Sequence, residues 1–440
     1  MPRRPELGGE ALLEVDDLRV HFPLRGTFAQ RLVGREAGYV KAVDGVSFEL
    51  GKGEVLGLVG ESGSGKTTLG RALLRLVDST SGSIRFADRD ITRLRESEVR
   101  GLRRRMQIVF QDPHASLNPA MTIGASVGHP LSIHGLAKGR VAESRVAEAL
   151  RTVGLSPVQQ FMSKYPSDLS GGQKQRAVLA RAIILNPDLL VADEPVSMLD
   201  MSVRAKILEL MVDLKKEFDL TYLYITHDLA TAKFFCDRIA IMYLGRIVEI
   251  GPAQAIYDDP KHPYTVSLLR AIPEPDPARS VPRDLPPGEV PDAVNPPLGC
   301  SFHPRCPRAF EVCGWESRDL RDALEERWAR MAEAAYESEQ ALIGDLDRLD
   351  KPSEQAWLQA ASGHTAAEVE GLLARMRKEE PEARLWRGVR SMRSVAGRAV
   401  VEFHKGLEPR HLPVDGVEVE CHLYDDDAKR QADEAARSSR

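Results

Sequence analysis

The chain has 440 residues and a formal net charge of -5, and 42% of its residues are hydrophobic and 6% aromatic. This length predicts two or three folding units, and the apolar fraction is large enough for buried cores. The negative charge gives none of the basic footprint expected of a nucleic-acid-binding protein. Five cysteines are too few for a disulfide scaffold in a chain of this length.

The N-terminal sequence MPRRPELGGEALLEVDD contains two arginines but lacks the apolar segment of a signal peptide. No uninterrupted apolar run reaches the roughly 18 residues that are needed to span a bilayer. We therefore expect a cytosolic chain. If it works at a membrane, other subunits must supply the spanning helices.

The first 250 residues alternate between predicted strands and helices. Segments 13–22 and 40–50 have alternating apolar residues typical of half-buried strands, whereas the apolar run 53–60 is typical of a central parallel strand. Further strands are predicted at 106–110, 189–194, 221–226 and 238–244, and helices at about 66–77, 112–185, 202–217 and from 228. This order indicates an α/β fold with a mostly parallel sheet and an inserted helical subdomain.

The character of the chain changes after the first predicted domain, 1–270. Residues 271–315 form a proline-rich connector with a cysteine cluster, and the prolines favour an extended chain. Residues 316–410 are rich in charged residues and are predicted to form a helical insert. The last segment, 411–440, contains another cysteine and ends in a polar tail that is predicted to be disordered.

A glycine-rich loop between a predicted strand and a predicted helix fits G-x-x-x-x-G-K-[ST]. Its residues are Gly60, Glu61, Ser62, Gly63, Ser64, Gly65, Lys66 and Thr67, followed by Thr68. Glycines allow several backbone N–H groups to face one anion, and the helix N-terminus adds partial positive charge. The motif therefore predicts a nucleotide site in which Lys66 reaches the β- and γ-phosphates and Thr67 ligates Mg²⁺.

A second acidic element belongs with this loop. The apolar strand LLVADE ends in Asp193 and Glu194. A carboxylate at that position holds the magnesium shell, and the next carboxylate polarises the attacking water. A strand that ends in Asp-Glu is weak evidence for a magnesium site by itself. It becomes strong evidence here because it follows a phosphate loop by about 130 residues.

Five further elements occur in the order typical of the ATP-binding-cassette (ABC) ATPases, which this chain resembles. Gln111 in VFQDP resembles the Q-loop, and His227 in YITHD resembles the switch histidine. The signature is Leu169 followed by Ser170, Gly171, Gly172 and Gln173, and the D-loop ends at Asp200. Phe22, or Tyr39 as the alternative, resembles the aromatic residue that stacks on adenine.

This resemblance implies a phosphate-loop nucleotide-binding domain with a mostly parallel sheet, antiparallel N-terminal strands and an inserted helical subdomain. It also implies roles in Mg-dependent ATP hydrolysis. Glu194 polarises water, His227 contacts the γ-phosphate, and Gln111 joins Thr67 and Asp193 around Mg²⁺. In the family, the signature and D-loop of one subunit contact ATP held by another subunit.

The flanking segments narrow the resemblance to the oligopeptide/dipeptide importer ATPases. They are KAVDGVSFEL, FQDPHASLNPAMTIG, HPYTVSLLRAIPEPDP and NPPLGCSFHPRCP. The long stretch between His21 and Lys41 resembles the second ATPase of the peptide-importer pair. The resemblance implies a heterodimer with another ABC ATPase, or a homodimer as the alternative. It also implies two membrane permeases and an extracytoplasmic binding protein, with the chain on the cytoplasmic face of the membrane.

The competing interpretation is a soluble ABC protein that acts on nucleic acid or the ribosome. Four arginines form a small basic cluster, Arg100, Arg103, Arg104 and Arg105. Such a run is more often a solvated helix face. A single phosphate loop and an uninterrupted cassette also disfavour the translation-factor and repair classes.

Three cysteines lie close together in CSFHPRCPRAFEVC, and a fourth lies in VEVECHLY. They are Cys300, Cys306, Cys313 and Cys421, whereas Cys236 lies among apolar residues and is predicted to be an inert core thiol. The peptide-importer family carries three such cysteines and a fourth after a short interval. In some relatives these cysteines are associated with an iron–sulfur cluster.

The resemblance therefore implies a [4Fe–4S] cluster, with Zn²⁺ or no metal as the alternatives. Zinc sites usually use cysteine pairs two to four residues apart, which these cysteines lack. Over a hundred residues separate Cys313 from Cys421. For Cys421 to be the fourth ligand, this insert must leave and return to the same place, which costs little closure entropy.

Overall fold

The chain folds into two units that are divided between Asp259 and Pro260. The computed structural model describes residues 10–24, 38–272 and 289–438. Residues 273–288 of the predicted proline-rich connector thus lie outside the described residues. In the part of the chain that the structure describes, no helix is long and apolar enough to cross a bilayer.

The first unit is built on a mixed sheet whose central strand is the predicted apolar run. The strands lie in the order β10-β9-β3-β8-β7-β6, and all neighbours are parallel except β9 and β10. All five residues of β3 are buried because helices cover both faces of a parallel sheet. The bounds are β3 Val55–Val59, β6 Met106–Val109, β7 Leu189–Asp193, β8 Thr221–Thr226, β9 Arg238–Tyr243 and β10 Arg246–Pro252.

A second sheet of the first unit contains the N-terminal strands, which are antiparallel as predicted. Its order is β2-β1-β4-β5. Alternate residues of β1, including Leu13 and Val15, face the core. The bounds are β1 Ala11–Pro23, β2 Tyr39–Gly51, β4 Ser81–Phe86 and β5 Arg89–Asp90.

Ten helices of the first unit lie within the described residues, and five of them form the predicted helical subdomain. Among these five, α4, α5 and α7 pack against one another. The subdomain comprises α3 Pro113–Ser116, α4 Ile123–Ile133, α5 Gly139–Thr152, α6 Val158–Ser163 and α7 Gly171–Ile183. The others are α1 Lys66–Leu73, α2 Glu96–Leu102, α8 Met201–Phe218, α9 Leu229–Phe235 and α10 Ala253–Asp258.

The second unit combines helices with two small antiparallel sheets. Its helices are α11 Pro263–Arg270, α12 Ser317–Trp328, α13 Glu333–Leu342, α14 Ala366–Glu379, α15 Leu385–Gly388 and α16 Asp426–Ser438. Its strands are β11 Gln355–Gln359, β12 Val389–Val395, β13 Arg398–Phe403, β14 His411–Val414 and β15 Val417–Glu420. β14 and β15 form a hairpin.

The prediction of a helical insert over 316–410 is only partly correct, because β11, β13 and β12 form a three-stranded sheet among its four helices. α14 packs against all three strands of this sheet. The other face carries polar and charged residues such as Arg398 and Glu402. Their charge gave these strands the composition on which the helical prediction rested. A hairpin turn at Ala396 and Gly397, both with positive φ, joins β12 to β13.

The prediction of a disordered tail is also wrong, because α16 occupies Asp426–Ser438. Ala428 and Ala432, one turn apart, are buried and pack against Val312. Asp425 accepts hydrogen bonds from the backbone N–H groups of residues 427 and 428 at 3.0 and 3.3 Å, which caps the helix. Small apolar residues at this spacing bury too little area to stand out in the sequence.

His262 at the start of α11 should make the second unit sensitive to acid. Its Nδ1 accepts a hydrogen bond from the backbone N–H of Tyr264 at 3.1 Å, and burial lowers its pKa to about 3. The folded unit thus holds neutral His262, whereas the unfolded chain takes up a proton below its ordinary pKa of 6.5. Its contribution to stability is complete above about pH 6.5 and is lost as the pH falls towards 3.

We expect His262→Asn, which keeps a capping acceptor, to reduce the loss of stability on acidification by up to about 1.4 kcal/mol per pH unit. The four tryptophans, Trp315, Trp328, Trp357 and Trp386, all lie in the second unit, so their fluorescence during urea unfolding measures this unit. The exposed His129→Asn in the first unit is the control. Parallel stability curves for the wild type and His262→Asn between pH 3 and 6.5 would contradict the assignment.

Candidate functional site

The phosphate loop leaves the end of β3 and leads directly into α1. A Cβ atom on Gly60 would lie 2.1 Å from the carbonyl oxygen of Met242, and one on Gly65 would lie 2.0 Å from that of Ala42. Gly65 also has a φ of 101°, in the left-handed region. Only glycine allows this close approach of neighbouring backbone, so the motif glycines determine the shape of the loop.

Lys66, the first residue of α1, lies inside the loop and is only 5% exposed. Its Nζ donates to the carbonyl oxygens of Gly60 and Glu61, both at 2.8 Å. Burial lowers the pKa of Lys66, while the neighbouring Glu194 and Asp193 oppose this effect. The amine is therefore desolvated and positioned by the loop.

Thr67 and Asp193 meet across the first unit, although 126 positions separate them in the sequence. The Thr67 hydroxyl donates to Oδ1 of Asp193 at 3.1 Å. Asp193 is the last residue of β7 and is 3% exposed, and its burial raises its pKa. The structure thus brings together two of the three residues predicted to surround Mg²⁺.

Glu194 lies between the other two predicted catalytic residues. Gln111 donates from Nε2 to Oε2 of Glu194 at 2.9 Å, and Nδ1 of His227 lies 3.2 Å from Oε1. Glu194 has a φ of 48°, which turns the chain sharply at the end of β7. A non-glycine residue in this region stores backbone strain, which is common at functional sites.

The signature segment forms the N-terminus of α7. The Ser170 hydroxyl accepts from the backbone N–H of Gln173 at 3.4 Å, and the Gln173 side chain accepts from the backbone N–H of Ser170 at 3.0 Å. This reciprocal pair is a capping box. A Cβ atom on Gly172 would lie 2.6 Å from Cγ1 of Val203, so Gly172 permits close packing against α8.

Asp200 of the D-loop caps α8. It accepts from the backbone N–H of Val203 at 3.0 Å and from the Ser202 hydroxyl at 2.9 Å. These two bonds, the first above all, lower the pKa of Asp200. The side chain is therefore an ionised acceptor at the exposed end of the helix.

The two candidates for stacking on adenine lie at the ends of neighbouring strands. Phe22 faces Val40 and Pro23 faces Tyr39 in the pairing of β1 with β2. Phe22 is 40% exposed and Tyr39 is 43% exposed, so both rings are accessible. Burial does not distinguish them, and both remain candidates.

Two contacts that the sequence did not reveal join α7, which begins at the signature, to α3, which lies just after the predicted Q-loop residue Gln111. Lys174 of α7 is buried, and its Nζ lies 3.1 Å from Nδ1 of His114 in α3. Arg181, also of α7, donates to the carbonyl oxygen of Ser116 at the end of α3. These partners are 60 and 65 positions apart, so no local motif predicts the contacts.

The four clustered cysteines lie around one cavity in the second unit. Its volume is about 10 Å³, and Cys300, Cys306, Cys313 and Cys421 line it together with His262, His303 and His422. Cys421 therefore returns to the other three cysteines, as a shared site requires. Burial raises the pKa of the Cys300 and Cys306 thiols, and it raises that of Cys313 to about 12.

These cysteines are not arranged as a ready-made metal centre. Among the described residues, no three or more His, Cys, Asp or Glu side chains have the arrangement of metal ligands. The cavity is about the size of one water molecule, so a four-iron cluster requires the thiols to move apart. The predicted cluster therefore has the donors that it needs but no preformed space. Cys236 lies elsewhere, buried beside Gly57 in the first unit.

Comparison with known proteins identifies the family. One family model, ABC transporter, matches residues 43–197, and another, oligopeptide/dipeptide transporter C-terminal region, matches residues 248–313. The chain is 46% identical over 317 residues to the oligopeptide transport ATP-binding protein AppF of Bacillus subtilis, covering 71% of this chain and 94% of AppF. This chain belongs to the oligopeptide/dipeptide family of ABC transporter ATP-binding proteins.

Other relatives agree with this assignment. The probable peptide ABC transporter ATP-binding protein y4tS of Sinorhizobium fredii is 48% identical over 307 residues, 69% of this chain and 84% of y4tS. The putative oligopeptide transport ATP-binding protein YkfD of Bacillus subtilis is 47% identical over 317 residues, 71% of this chain and 92% of YkfD. The family predicted from the motifs is confirmed, and both family models end before the insert of the second unit.

Proposed function

We propose that this ABC ATPase powers the import of peptides. The observation that carries the proposal is the Glu194 carboxylate, held by Gln111 and His227 beside a complete phosphate loop. The names of the relatives support peptides, dipeptides or oligopeptides, as the class of cargo. The chain itself supplies the hydrolysis step.

In the proposed mechanism each predicted residue has one role. The amides of residues 60–68 and the ammonium of Lys66 bind the phosphates. Thr67 and Gln111 would hold Mg²⁺, and Asp193 would act on it through water. Mg²⁺, when bound, neutralises charge on the β- and γ-phosphates. Glu194 polarises the attacking water, and His227 contacts the γ-phosphate.

The proposed assembly supplies the remaining contacts. Ser170, Gly171, Gly172, Gln173 and Asp200 contact ATP held by a second ABC ATPase subunit. We propose a heterodimer with that subunit, bound to two transmembrane permeases on the cytoplasmic face of the membrane. An extracytoplasmic binding protein delivers the peptide to the permeases. The exposure of Ser170 and Asp200, which cap the N-termini of α7 and α8, supports this arrangement.

The alternative role on nucleic acid is not favoured. The guanidinium of Arg103 is paired with Glu96 and bonded to the carbonyl oxygens of Leu74 and Arg75. Arg105 is paired with Asp188. Half of the basic cluster is therefore engaged within the cassette rather than presented to phosphates.

Glu194→Gln should stop hydrolysis while retaining ATP binding. The amide keeps the shape and hydrogen-bonding capacity of the side chain but is not a base, and general bases typically contribute about 10²–10⁴-fold to a rate. Turnover in the assembled transporter should fall by that factor, with ATP trapped in the closed dimer. The exposed Glu209→Gln in α8 is the matched control. Near wild-type turnover of Glu194→Gln would refute the assignment.

Asp193→Ala should weaken binding of Mg·ATP more than binding of metal-free ATP. Mg²⁺ uses few protein oxygens and keeps several waters. Loss of the carboxylate that holds one of these waters should therefore lower the affinity for ATP only when Mg²⁺ is present. Titration of a fluorescent ATP analogue with Mg²⁺ and with EDTA measures both affinities, and the exposed Asp213→Ala is the control. Equal losses would show that Asp193 only supports the fold.

We further propose that the cysteine cavity holds a metal group, a [4Fe–4S] cluster first and Zn²⁺ second. The return of Cys421 to Cys300, Cys306 and Cys313 across the insert supports this proposal. Thiolates are the donors that both groups prefer. Buried thiols of raised pKa favour the protonated form, and a metal would stabilise their thiolates instead.

Protein purified without oxygen should be brown, with broad absorbance near 400 nm and iron and sulfide bound to the chain. Cys313→Ser should lose most of the metal because it removes a donor, whereas Cys236→Ser should retain it. Elemental analysis for iron and zinc measures the outcome. A colourless wild-type preparation that contains neither metal would eliminate the metal group.

A further inference from the structure

Lys174 is a buried cation that the proposed reaction does not use. It lies in the first turn of α7, directly after the signature, and is 8% exposed. Its Nζ lies 3.1 Å from Nδ1 of His114 in α3. An ammonium group can only donate, so Nδ1 accepts and the imidazole carries its hydrogen on Nε2. His114 is therefore the neutral acceptor for this buried charge.

The contact compensates for the burial of the Lys174 charge. Within the described residues, no carboxylate forms an ion pair with Lys174, and the imidazole of His114 is the acceptor that its ammonium meets. A buried ammonium without an acceptor is costly, because water no longer solvates it. The contact therefore favours one fixed arrangement of α3 against α7.

Lys174 is also bonded to the signature through its backbone. Its N–H donates to the carbonyl oxygen of Ser170 at 2.9 Å, which closes the first turn of α7. The preceding residue, Gln173, exchanges the two capping bonds with Ser170. One residue thus contacts the signature serine through its backbone and α3 through its side chain.

The other partner, His114, lies in a turn that begins directly after Gln111. Asp112 caps this turn and accepts from the backbone N–H of His114 at 2.7 Å, and the Ser116 hydroxyl donates to the carbonyl oxygen of Asp112 at 2.8 Å. Pro113 occupies the first helical position, where its ring fixes φ. α3 is thus a stiff turn, and its placement determines where Gln111 lies.

These bonds form a continuous path across the first unit. It runs from Glu194 to Gln111 at 2.9 Å, through α3 to Lys174, and from Lys174 to Ser170. In the proposed function, Gln111 also meets Mg²⁺ when the chain holds ATP, and Ser170 meets the ATP of the partner subunit. The path therefore joins a residue of one nucleotide site to a residue of the other.

We propose that Lys174 and His114 are positioning residues that couple the two ATP sites of the dimer, an inference that rests on the proposed function. When the chain binds Mg·ATP, Gln111 changes its contacts, and the bond between Lys174 and His114 transmits this change to the signature. The signature then fits the ATP of the partner better. Coupling between binding sites is reciprocal, so a signature that has closed on the partner's ATP also favours Mg·ATP at the chain's own site.

Equilibrium binding of a fluorescent, non-hydrolysable ATP analogue with Mg²⁺ to the assembled transporter measures this coupling as cooperativity, and ATP turnover is measured in parallel. Lys174→Met and His114→Leu each remove one partner. The double variant replaces both partners with apolar groups, which is often nearly neutral for stability and so separates coupling from folding. His114→Gln keeps a carbonyl acceptor, and the exposed Lys216→Met in α8 is the matched control.

We expect the wild type, His114→Gln and Lys216→Met to bind the analogue cooperatively. In Lys174→Met, His114→Leu and the double variant, cooperativity should be lost and the affinity for the second nucleotide should fall about fivefold or more. The affinity for the first nucleotide should change little, because the contacts of the phosphate loop are intact. Turnover should fall in the same three variants, since the two sites no longer close together.

A double variant that binds as cooperatively as the wild type overturns the proposal, and so does a His114→Gln variant that behaves like His114→Leu. A wild type that hydrolyses ATP but binds the analogue without cooperativity overturns the coupling and leaves the proposed function intact. A wild type that neither binds nor hydrolyses ATP overturns both. If the two single variants do not fold, the double variant and His114→Gln decide the outcome.

Discussion

The arrangement of the nucleotide site depends on the two oxygens of the Glu194 carboxylate. β6, β7 and β8 are parallel neighbours, so their carboxyl ends deliver Gln111, Glu194 and His227 to one edge of the sheet. Each oxygen meets one of the two partners. Because Gln111 and Glu194 are 83 positions apart, only the register of the strands brings them together. A slip by one residue would turn these side chains to the other face.

The same edge of the sheet also determines the pKa values of two charged groups, because Asp193 and Lys66 are buried there. Burial raises the pKa of Asp193 and lowers that of Lys66, so each charged form is destabilised by its surroundings. Each also stabilises the other, since opposite charges are close to one another in a medium of low dielectric. Protein packing has therefore already removed water from Lys66 and Asp193, the groups that we propose bind phosphate and Mg²⁺. Ligand binding then has less solvent to displace.

The sequence alone predicted the functional residues wherever these residues lie in one contiguous segment. The phosphate loop, LLVADE and LSGGQ each combine their residues within a few positions, and the strand and helix order placed them in context. The bonds from Lys174 and Arg181 to the Q-loop segment were not predictable, because they join distant segments. The sheet of the insert was missed for a different reason. Its outer face carries Arg393, Arg398 and Glu402, so the charged composition of the segment was interpreted as a solvated helix.

The insert and the cysteine loop depend on each other for hydrogen bonds. Arg384 donates to the carbonyl oxygen of Cys306 at 2.9 Å, and Arg387 donates to that of Ala309 at 3.4 Å. A Cβ atom on Gly388 would lie 2.0 Å from the ring of Trp315, so this glycine lets α15 pack against the chain that follows the cysteines. Buried backbone carbonyls require partners, and here the insert supplies them. The long interval before Cys421 is therefore part of the structure that surrounds the cysteines rather than a separate appendage.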